Sequence, residues 1–370
     1  MPDNAAAWLH DKPTALKVGP APYTPPGKGE IVIRNRAVAI NPVDWAIPLI
    51  GRQAFPWVKY PAIVGGDVAG EVVEVGEGVT RFKVGDRVLG AACGLNSNRN
   101  RPAEGAFQIF VVLSDYMASP IPDSLSYEAA SVLPLCLSTA ACGLFQKDFL
   151  ALQHPSADAR PTGQTLLVWG GATSVGCNAI QLAVAAGYEV FATASPHNFD
   201  YLKSLGAAQV FDYRSRSVVA DIIAALKGRT VAGALNMGSG MLGACFEILH
   251  ASEGEKFVAQ AAGPVSLSDL GSGGPLDMLR VMPKMLLSNV ATARKARRLG
   301  VRHKFIFGGS LADNEVGPAI YVDFLPKALA DGRFAAAPPA LVVGQGLESI
   351  EAAFAVQRKG MSAQKVVVSL

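Results

Sequence analysis

The run LLVWGGATSVGCNAIQLAVAAGYEVFATAS, residues 166–195, holds the residue types that bind a pyrophosphate. A short apolar strand feeds a turn of small residues, then an amphipathic helix, then a second strand. Small residues at Gly171, Ala172, Thr173, Ser174, Val175 and Gly176 let the backbone and a helix N-terminus approach a diphosphate, whose charge the helix dipole stabilises. The pattern is Gly171-x-Thr173-x-x-Gly176, a degenerate dinucleotide fingerprint with threonine in the middle position. A glycine turn between strand and helix also serves backbone geometry alone. Its setting within a series of strand–helix–strand units is what favours the cofactor.

The end of the second strand selects between nicotinamides. A site for NAD needs Asp or Glu there for the ribose 2′-hydroxyl. The chain supplies Thr193, Ala194, Ser195, Pro196, His197 and Asn198, with no acid before Asp200. Ser195, His197, Asn198 and, at the end of the next strand, Tyr213 can hydrogen-bond a 2′-phosphate, with Lys203 a nearby charge; NADP(H) is therefore expected over NAD(H). The polar residues of 195–198 also suit a helix cap, and both roles are compatible.

Around this loop the chain divides by its grammar. The first 130 or so residues carry short β-type runs between Gly and Pro, such as GEIVIRNRAVAI, GDVAGEVVEVG and GDRVLGAAC, as a small irregular barrel would. From Pro161 strands alternate with helical stretches, which implies a parallel, doubly wound sheet. The expected division is a β-rich domain from residues 1–135 and 312–370 and a cofactor domain from 136–311. PLDMLRVMPKMLLSNVATARKARRLG, within the long 262–302 segment, has helical spacing and reads as an inserted excursion. The tail pieces AIYVDFLPKALADGRF and SIEAAFAVQRKG read as helices, and QKVVVSL as a closing strand.

Composition excludes several classes. With 370 residues, 50% hydrophobic, 17% charged and a net charge of +3, the chain has the makings of a large core. Such a charge gives no warrant for nucleic-acid or membrane binding. No apolar run of about 18–20 residues and no signal peptide is evident. Five scattered cysteines without a C-x-x-C pair suit a reducing, cytoplasmic setting. The basic stretch ARKARRLGVRHK, 293–304, reads as a solvated helix face; it also suits a phosphate-bearing partner.

Five stretches together resemble the medium-chain dehydrogenase/reductase superfamily: NPVDW, VGGDVAGEVVEVGEGVTRFKVGDRV, LPLCLSTAACGL, the cofactor loop and KGMSAQKVVV. The resemblance implies a GroES-like β-rich catalytic domain and a Rossmann domain. Zinc members carry a cysteine in the first motif, a histidine after glycine in the second and a cysteine in the third. Here the first reads Pro42-Val43-Asp44, Gly66 replaces the histidine, and Leu135 stands where the cysteine belongs, with Cys136 one residue late. The four-cysteine lobe is represented by Cys93 alone. Zinc needs at least three protein ligands, so no metal is expected.

The zinc-less branch includes quinone oxidoreductases and enoyl reductases. SPHNFDYLKSLGAAQVFDY and NPVDW are further similar to fungal trans-acting enoyl reductases and related stand-alone reductases. By that resemblance Asn41, Val43, Asp44, Trp45 and Ala46 border the nicotinamide. Gln260, Ala261, Ser362 and Ala363 flank the cofactor. Leu135, Cys136 and Leu137 line the substrate pocket, and Ser138 and Thr139 offer hydroxyls there, Thr139 also to the cofactor. Asn41, Asp44, Ser138 and Thr139 are the catalytic candidates, although Ser138 and Thr139 serve equally as a helix N-cap of STAACGLF. Phe55 and Trp57 suit an apolar pocket wall or barrel core. No proton donor is evident.

The resulting expectation is an NADPH-dependent, zinc-independent reductase of a small or carrier-bound α,β-unsaturated carbonyl, with neither nucleic acid nor membrane as partner. The rivals are a metal-free alcohol/ketone oxidoreductase and a non-catalytic NADPH-binding interaction protein. Monomer and homodimer stay open, since KFIFGG presents a candidate edge strand.

Overall fold

The structure, a computed structural model, describes residues 2–10, 15–263 and 275–370. It contains two compact units, one from Met1–Ser138 and Ala312–Leu370, the other from Thr139–Leu311.

The first unit is built on strand Glu30–Ala39, whose apolar residues Ile31, Ile33 and Val38 enter the core. One edge of this strand pairs antiparallel with Asp67–Val75. The other pairs with Phe110–Ser114 over its first half and with Lys365–Ser369 over its end. Register shifts at Val32/Ile33 and Asn35/Ala37 mark bulges, which bend a strand and sharpen its twist. The seven-stranded sheet continues through Arg87–Ala91 to Ala118–Pro120 on one side and to Ala340–Gln345 on the other. A separate sheet joins Lys17–Ala21, Asn4–Leu9 and Ala62–Ile63. The sequence placed AIYVDFLPKALADGRF in one helix; the structure breaks it into a π-helical turn, Ala319–Phe324, and an α-helix, Leu325–Ala330. Pro326 explains the break, because it cannot donate to the carbonyl four residues back.

The second unit is a parallel sheet. Its strands lie in the order Gln209–Asp212, Glu189–Ala194, Gln164–Trp169, Thr230–Asn236, Phe257–Gln260, Arg302–Phe305. Leaving aside the two-residue strand Glu253–Gly254, which pairs with Thr230–Asn236, that order numbered along the chain is 3-2-1-4-5-6, the doubly wound arrangement. Strand order reverses between Gln164–Trp169 and Thr230–Asn236, so their carboxyl ends flank the ligand crevice of such a sheet. The inserted segment contains the helix Pro275–Leu299, with Leu279, Met282, Leu286 and Leu287 exposed; residues 264–274 lie outside the described set.

One stretch, Tyr127–Phe145, meets the length and hydropathy of a membrane span, against the expectation that none would. It is 78% buried inside the protein and is divided by Pro134 into two helices, Tyr127–Ser131 and Pro134–Phe145. Its apolar character is that of a core helix.

Candidate active site

In the second unit the turn after strand Gln164–Trp169 is held from both sides. Gly170 takes φ +89°, a conformation that glycine adopts without strain. Its N–H donates to Thr193 Oγ1 at 3.0 Å, and Gly171 N–H donates to the Thr193 carbonyl at 2.8 Å. Helix Ser174–Ala185 starts at the N-cap Thr173, whose Oγ1 accepts from Gly176 N–H at 3.0 Å and donates to the Gly170 carbonyl at 2.8 Å. A Cβ on Gly176 would lie 2.3 Å from that same carbonyl oxygen, so only glycine permits the helix to approach the strand this closely. Ala172, Ser174 and Val175 complete the turn and the first helical residues. These features fit a dinucleotide diphosphate at the helix N-terminus.

Beyond strand Glu189–Ala194, Ser195 and Asn198 are buried while His197 is exposed. Ser195 Oγ lies 3.5 Å from Tyr213 Oη, and Arg214 Nε donates to the same phenol oxygen at 3.2 Å. The hydrogen bonds from Ser195 and Arg214 lower the Tyr213 pKa by stabilising the phenolate. The sequence reading missed Arg214, which adds an exposed guanidinium to the cluster. Its one-residue offset from Tyr213 was the available signal. Gln260 ends strand Phe257–Gln260 and donates through Nε2 to the Ala262 carbonyl at 2.6 Å; Ala261 N–H bonds the Asn236 carbonyl.

The first unit gathers the candidates of its motifs around one buried cation. Lys365 Nζ lies 2.8 Å from Asp67 Oδ2, 2.7 Å from Asn41 Oδ1 and 3.1 Å from Cys136 Sγ. Asp67 Oδ2 also accepts from Asn41 Nδ2 at 2.8 Å, and Asp67 Oδ1 accepts from Leu135 N–H at 2.5 Å. Lys365, Asp67, Asn41 and Cys136 are all buried. Burial alone would lower the lysine pKa; the charge of Asp67, with Cys136, reverses this and holds it above the ordinary value. Neither Lys365 nor Asp67 was singled out by the sequence, since each sits beside an apolar strand run.

Helix Pro42–Ala54 begins at this cluster. Asn41 N–H donates to Asp44 Oδ2 at 2.7 Å, the returning half of a capping box, while the Asn41 side chain turns to Asp67 and Lys365. Burial raises the Asp44 pKa to about 7; the Asn41 N–H opposes the rise, the Asp67 charge reinforces it, and Lys365 opposes it. A carboxyl with a folded pKa above its unfolded value binds more protons when folded. Stability therefore falls as pH rises between about 4 and 7, by up to roughly 1.4 kcal/mol per pH unit, and levels off above. Asp44→Asn is accordingly expected to raise Tm over wild type more at pH 8 than at pH 5. Thermal melts at both pH values check this; an equal shift at both would refute it.

The remaining candidates are distributed as follows. Trp45 is buried; its indole N–H bonds Gln357, and the Arg358 guanidinium lies over the ring at 5.1 Å. Ala46 is buried and Val43 half-buried. Ser138 and Thr139 lie inside helix Pro134–Phe145, so the N-cap reading of STAACGLF is corrected: Pro134 suits a first helical position and starts the helix earlier. Tyr321 Oη donates to the Pro134 carbonyl at 2.8 Å, which leaves Ser138 Oγ as the donor in its 2.9 Å contact with Tyr321. Thr139 Oγ1 faces Gly308. Phe55 and Trp57 form an edge-on pair at 5.6 Å, with Trp57 Nε1 bonded to the Leu95 carbonyl. Ser362 is exposed, and Ala363 adopts a left-handed φ of +50° shortly before Lys365 enters the core.

Residues 27–123 match the alcohol dehydrogenase GroES-like domain family, and residues 174–261 match the family described as zinc-binding dehydrogenase. The dehydrogenase pigH of Monascus ruber is 54% identical over the whole of both chains. The trans-enoyl reductase himH of Aspergillus japonicus is 36% identical, with 99% of this chain and 97% of that protein covered. The chain belongs to the medium-chain dehydrogenase/reductase superfamily. In fold it is similar to an alcohol dehydrogenase superfamily protein of Novosphingobium aromaticivorans, with a TM-score of 0.74 at 24% identity over 99% of each chain. As a member of that superfamily it is an oxidoreductase of a family that binds a nicotinamide cofactor.

The zinc named by one family description does not fit the residues present. The Leu135 side chain packs against Gly66, with Cδ1 3.4 Å from where a Gly66 Cβ would be. The ammonium of Lys365 stands among Asp67, Asn41 and Cys136. Among the described residues no three His, Cys, Asp or Glu side chains form a metal-binding group.

Proposed function

We propose that the chain is an NADPH-dependent reductase of α,β-unsaturated carbonyls that works without a metal. The observation carrying this reading is that Gly66 and Leu135 stand at two of the metal-motif positions, with the Leu135 side chain packed against Gly66. A metal would stabilise an alkoxide as a carbonyl is reduced. Where the residues supply no Lewis acid, the favoured substrate is one that delocalises the developing charge itself. Bound NADPH would supply a hydride to the β-carbon of such a substrate, leaving an enolate. Hydrogen-bond donors near the oxygen stabilise that charge by about 3 kcal/mol each. Solvent then delivers a proton to the α-carbon. The relatives named trans-enoyl reductases support this reaction class.

Gly170, Gly171 and Gly176 would admit the diphosphate, and Ser195, Tyr213 and Arg214 the 2′-phosphate. Arg214→Ala is expected to weaken NADPH binding about 10-fold, the loss of one exposed charge-assisted contact, and to change NADH binding less than about twofold. Fluorescence titration with both dinucleotides checks it; equal losses for both would remove Arg214 from the phosphate site. Asn41, Asp44 and Ala46 would lie beside the nicotinamide, with Leu135, Cys136 and Thr139 toward substrate.

The test is NADPH oxidation at 340 nm against a cyclic enone, an enal, a quinone and a crotonyl thioester, with and without chelator. Turnover indifferent to chelation is expected. Turnover lost on chelation, or alcohol-dependent reduction of NADP without enone reduction, would overturn the proposal.

A further inference from the structure

The helix Pro275–Leu299 carries an apolar face that the rest of the protein leaves uncovered. At 3.6 residues per turn, Leu279, Met282, Leu286 and Val290 fall along one side, with Leu287 beside them. Leu279 and Leu287 are 71% and 70% exposed, so this is no core face turned slightly outward. The opposite side does the packing. Val281 is buried, and Ala296 and Leu299 join the core cluster of helix Leu242–Ala251. Lys295 Nζ meets Glu247 Oε1 of that helix at 2.5 Å, and the Leu299 carbonyl lies 2.9 Å from His250 Nδ1.

Charge is segregated along the same helix. From Met278 to Ala312 the chain has eight Lys and Arg and no Asp or Glu. The overall charge of +3 hides this block, since the rest of the chain is net negative. Beyond Val290 the exposed face continues as Arg294 and Arg297, with Lys284 and Arg298 along its flank.

Exposed apolar patches rimmed by polar residues mark interaction surfaces. A second copy of the helix would bring no acid to these bases, because none follows Asp277 within it. Protein interfaces centre on aromatic and arginine anchors seated in pockets, whereas this stripe is aliphatic and runs along the convex surface of a single helix. An anionic lipid surface needs no matching groove. It takes aliphatic side chains at its acyl boundary and basic ones among its headgroups. The apolar run from Leu279 to Val290 is twelve residues and contains Lys284, short of the ~20 that a span requires.

We infer that helix Pro275–Leu299 docks the protein on an anionic bilayer surface, lying in the headgroup plane with the Leu279–Val290 stripe immersed and Arg294, Arg297 and Arg298 on lipid anions. The expectation that no membrane is a partner rests on the net charge, which averages this block away. The inference is independent of the reductase reading.

Vesicle flotation of the full chain at 150 mM KCl tests it. Binding to phosphatidylcholine vesicles with 30% phosphatidylserine is expected to exceed binding to pure phosphatidylcholine by at least about 30-fold, at up to about 5-fold per basic residue. Leu286→Ser/Leu287→Ser and Arg294→Gln/Arg297→Gln/Arg298→Gln are each expected to lose at least about 10-fold of the binding to anionic vesicles. Both should melt within a few degrees of wild type, since the altered side chains are exposed. Leu279→Ser/Met282→Ser gives the same reading should the first pair fail to fold. Anionic binding that survives the leucine substitutions would overturn the docking role of the helix, leaving only diffuse charge attraction. Equal binding to both vesicles would overturn the part assigned to the arginines. No vesicle binding would overturn the inference outright. Sedimentation velocity on the same samples would then show whether the stripe instead joins two copies, as a dimer that the leucine substitutions dissociate.

Discussion

Glu104→Ala is expected to lose about 1.5–3 kcal/mol of stability, because it removes the buried carboxylate that Arg99 and Arg101 share and leaves both to Glu30 and solvent. Glu104 is nearly inaccessible, with 2% of its side chain exposed. Its carboxylate takes Arg99 Nε at 2.5 Å on one oxygen and Arg101 at 2.9 Å on the other. Arg99 and Arg101 both reach on to Glu30, at 3.4 and 2.5 Å. These four charges pin the loop AACGLNSNRNRPAEGAFQ, which in zinc members of the superfamily is a four-cysteine lobe. Cys93, the one cysteine in the loop, points to the Ala91 carbonyl at 3.5 Å. Burial, and next the charge of Glu104, push its thiol up to about 12. The Glu30 carboxyl is desolvated, which alone would raise its pKa, yet Arg101, the Gly27 N–H and Arg99 bring it below the ordinary value. The stability this contributes is present above the unfolded carboxylate pKa and is lost as pH falls through the folded one. Urea denaturation of the variant at pH 7 reads the loss. A change under about 1 kcal/mol would mean the ion pairs are not holding the loop.

The second large effect falls on the cofactor turn. Gly176→Ala is expected to weaken dinucleotide binding by about 100-fold while the first unit stays folded. The added methyl would lie 2.3 Å from the Gly170 carbonyl oxygen and 2.8 Å from Gly171 Cα, both backbone atoms. The helix must move away from the strand, breaking the Gly176 N–H contact to Thr173 Oγ1 and spoiling the turn that receives the diphosphate. Fluorescence titration with NADPH, beside a circular dichroism spectrum that establishes folding, separates this from simple unfolding. Binding within threefold of wild type would show that the turn is not where the diphosphate sits.

What the sequence made legible is local. Strand, glycine turn and helix follow one another within thirty residues, and the turn needs only the backbone freedom of Gly170 and the cap of Thr173. Alternation of strands and helices likewise announced the doubly wound sheet. The catalytic half is different because its centre is assembled over distance. Lys365 meets Cys136 across 229 positions and Asn41 across 324, so no spacing could reveal the cluster. A lysine before Val-Val-Val reads as an exposed strand end until its partners are seen. Tyr321 was hidden for the same reason, and its bond to the Pro134 carbonyl shows that Ser138 donates inward to a phenol. The cap expected at Ser138 and Thr139 failed because Pro134 had already started the helix.

The central claim is where the hydride goes. A cyclic enone would be reduced with NADPH carrying deuterium at both C4 positions, in the presence of chelator, and the product read by deuterium NMR. Deuterium on the β-carbon of a saturated ketone is the predicted result. Deuterium on the carbinol carbon of an allylic alcohol would contradict it, placing the chain among carbonyl reductases.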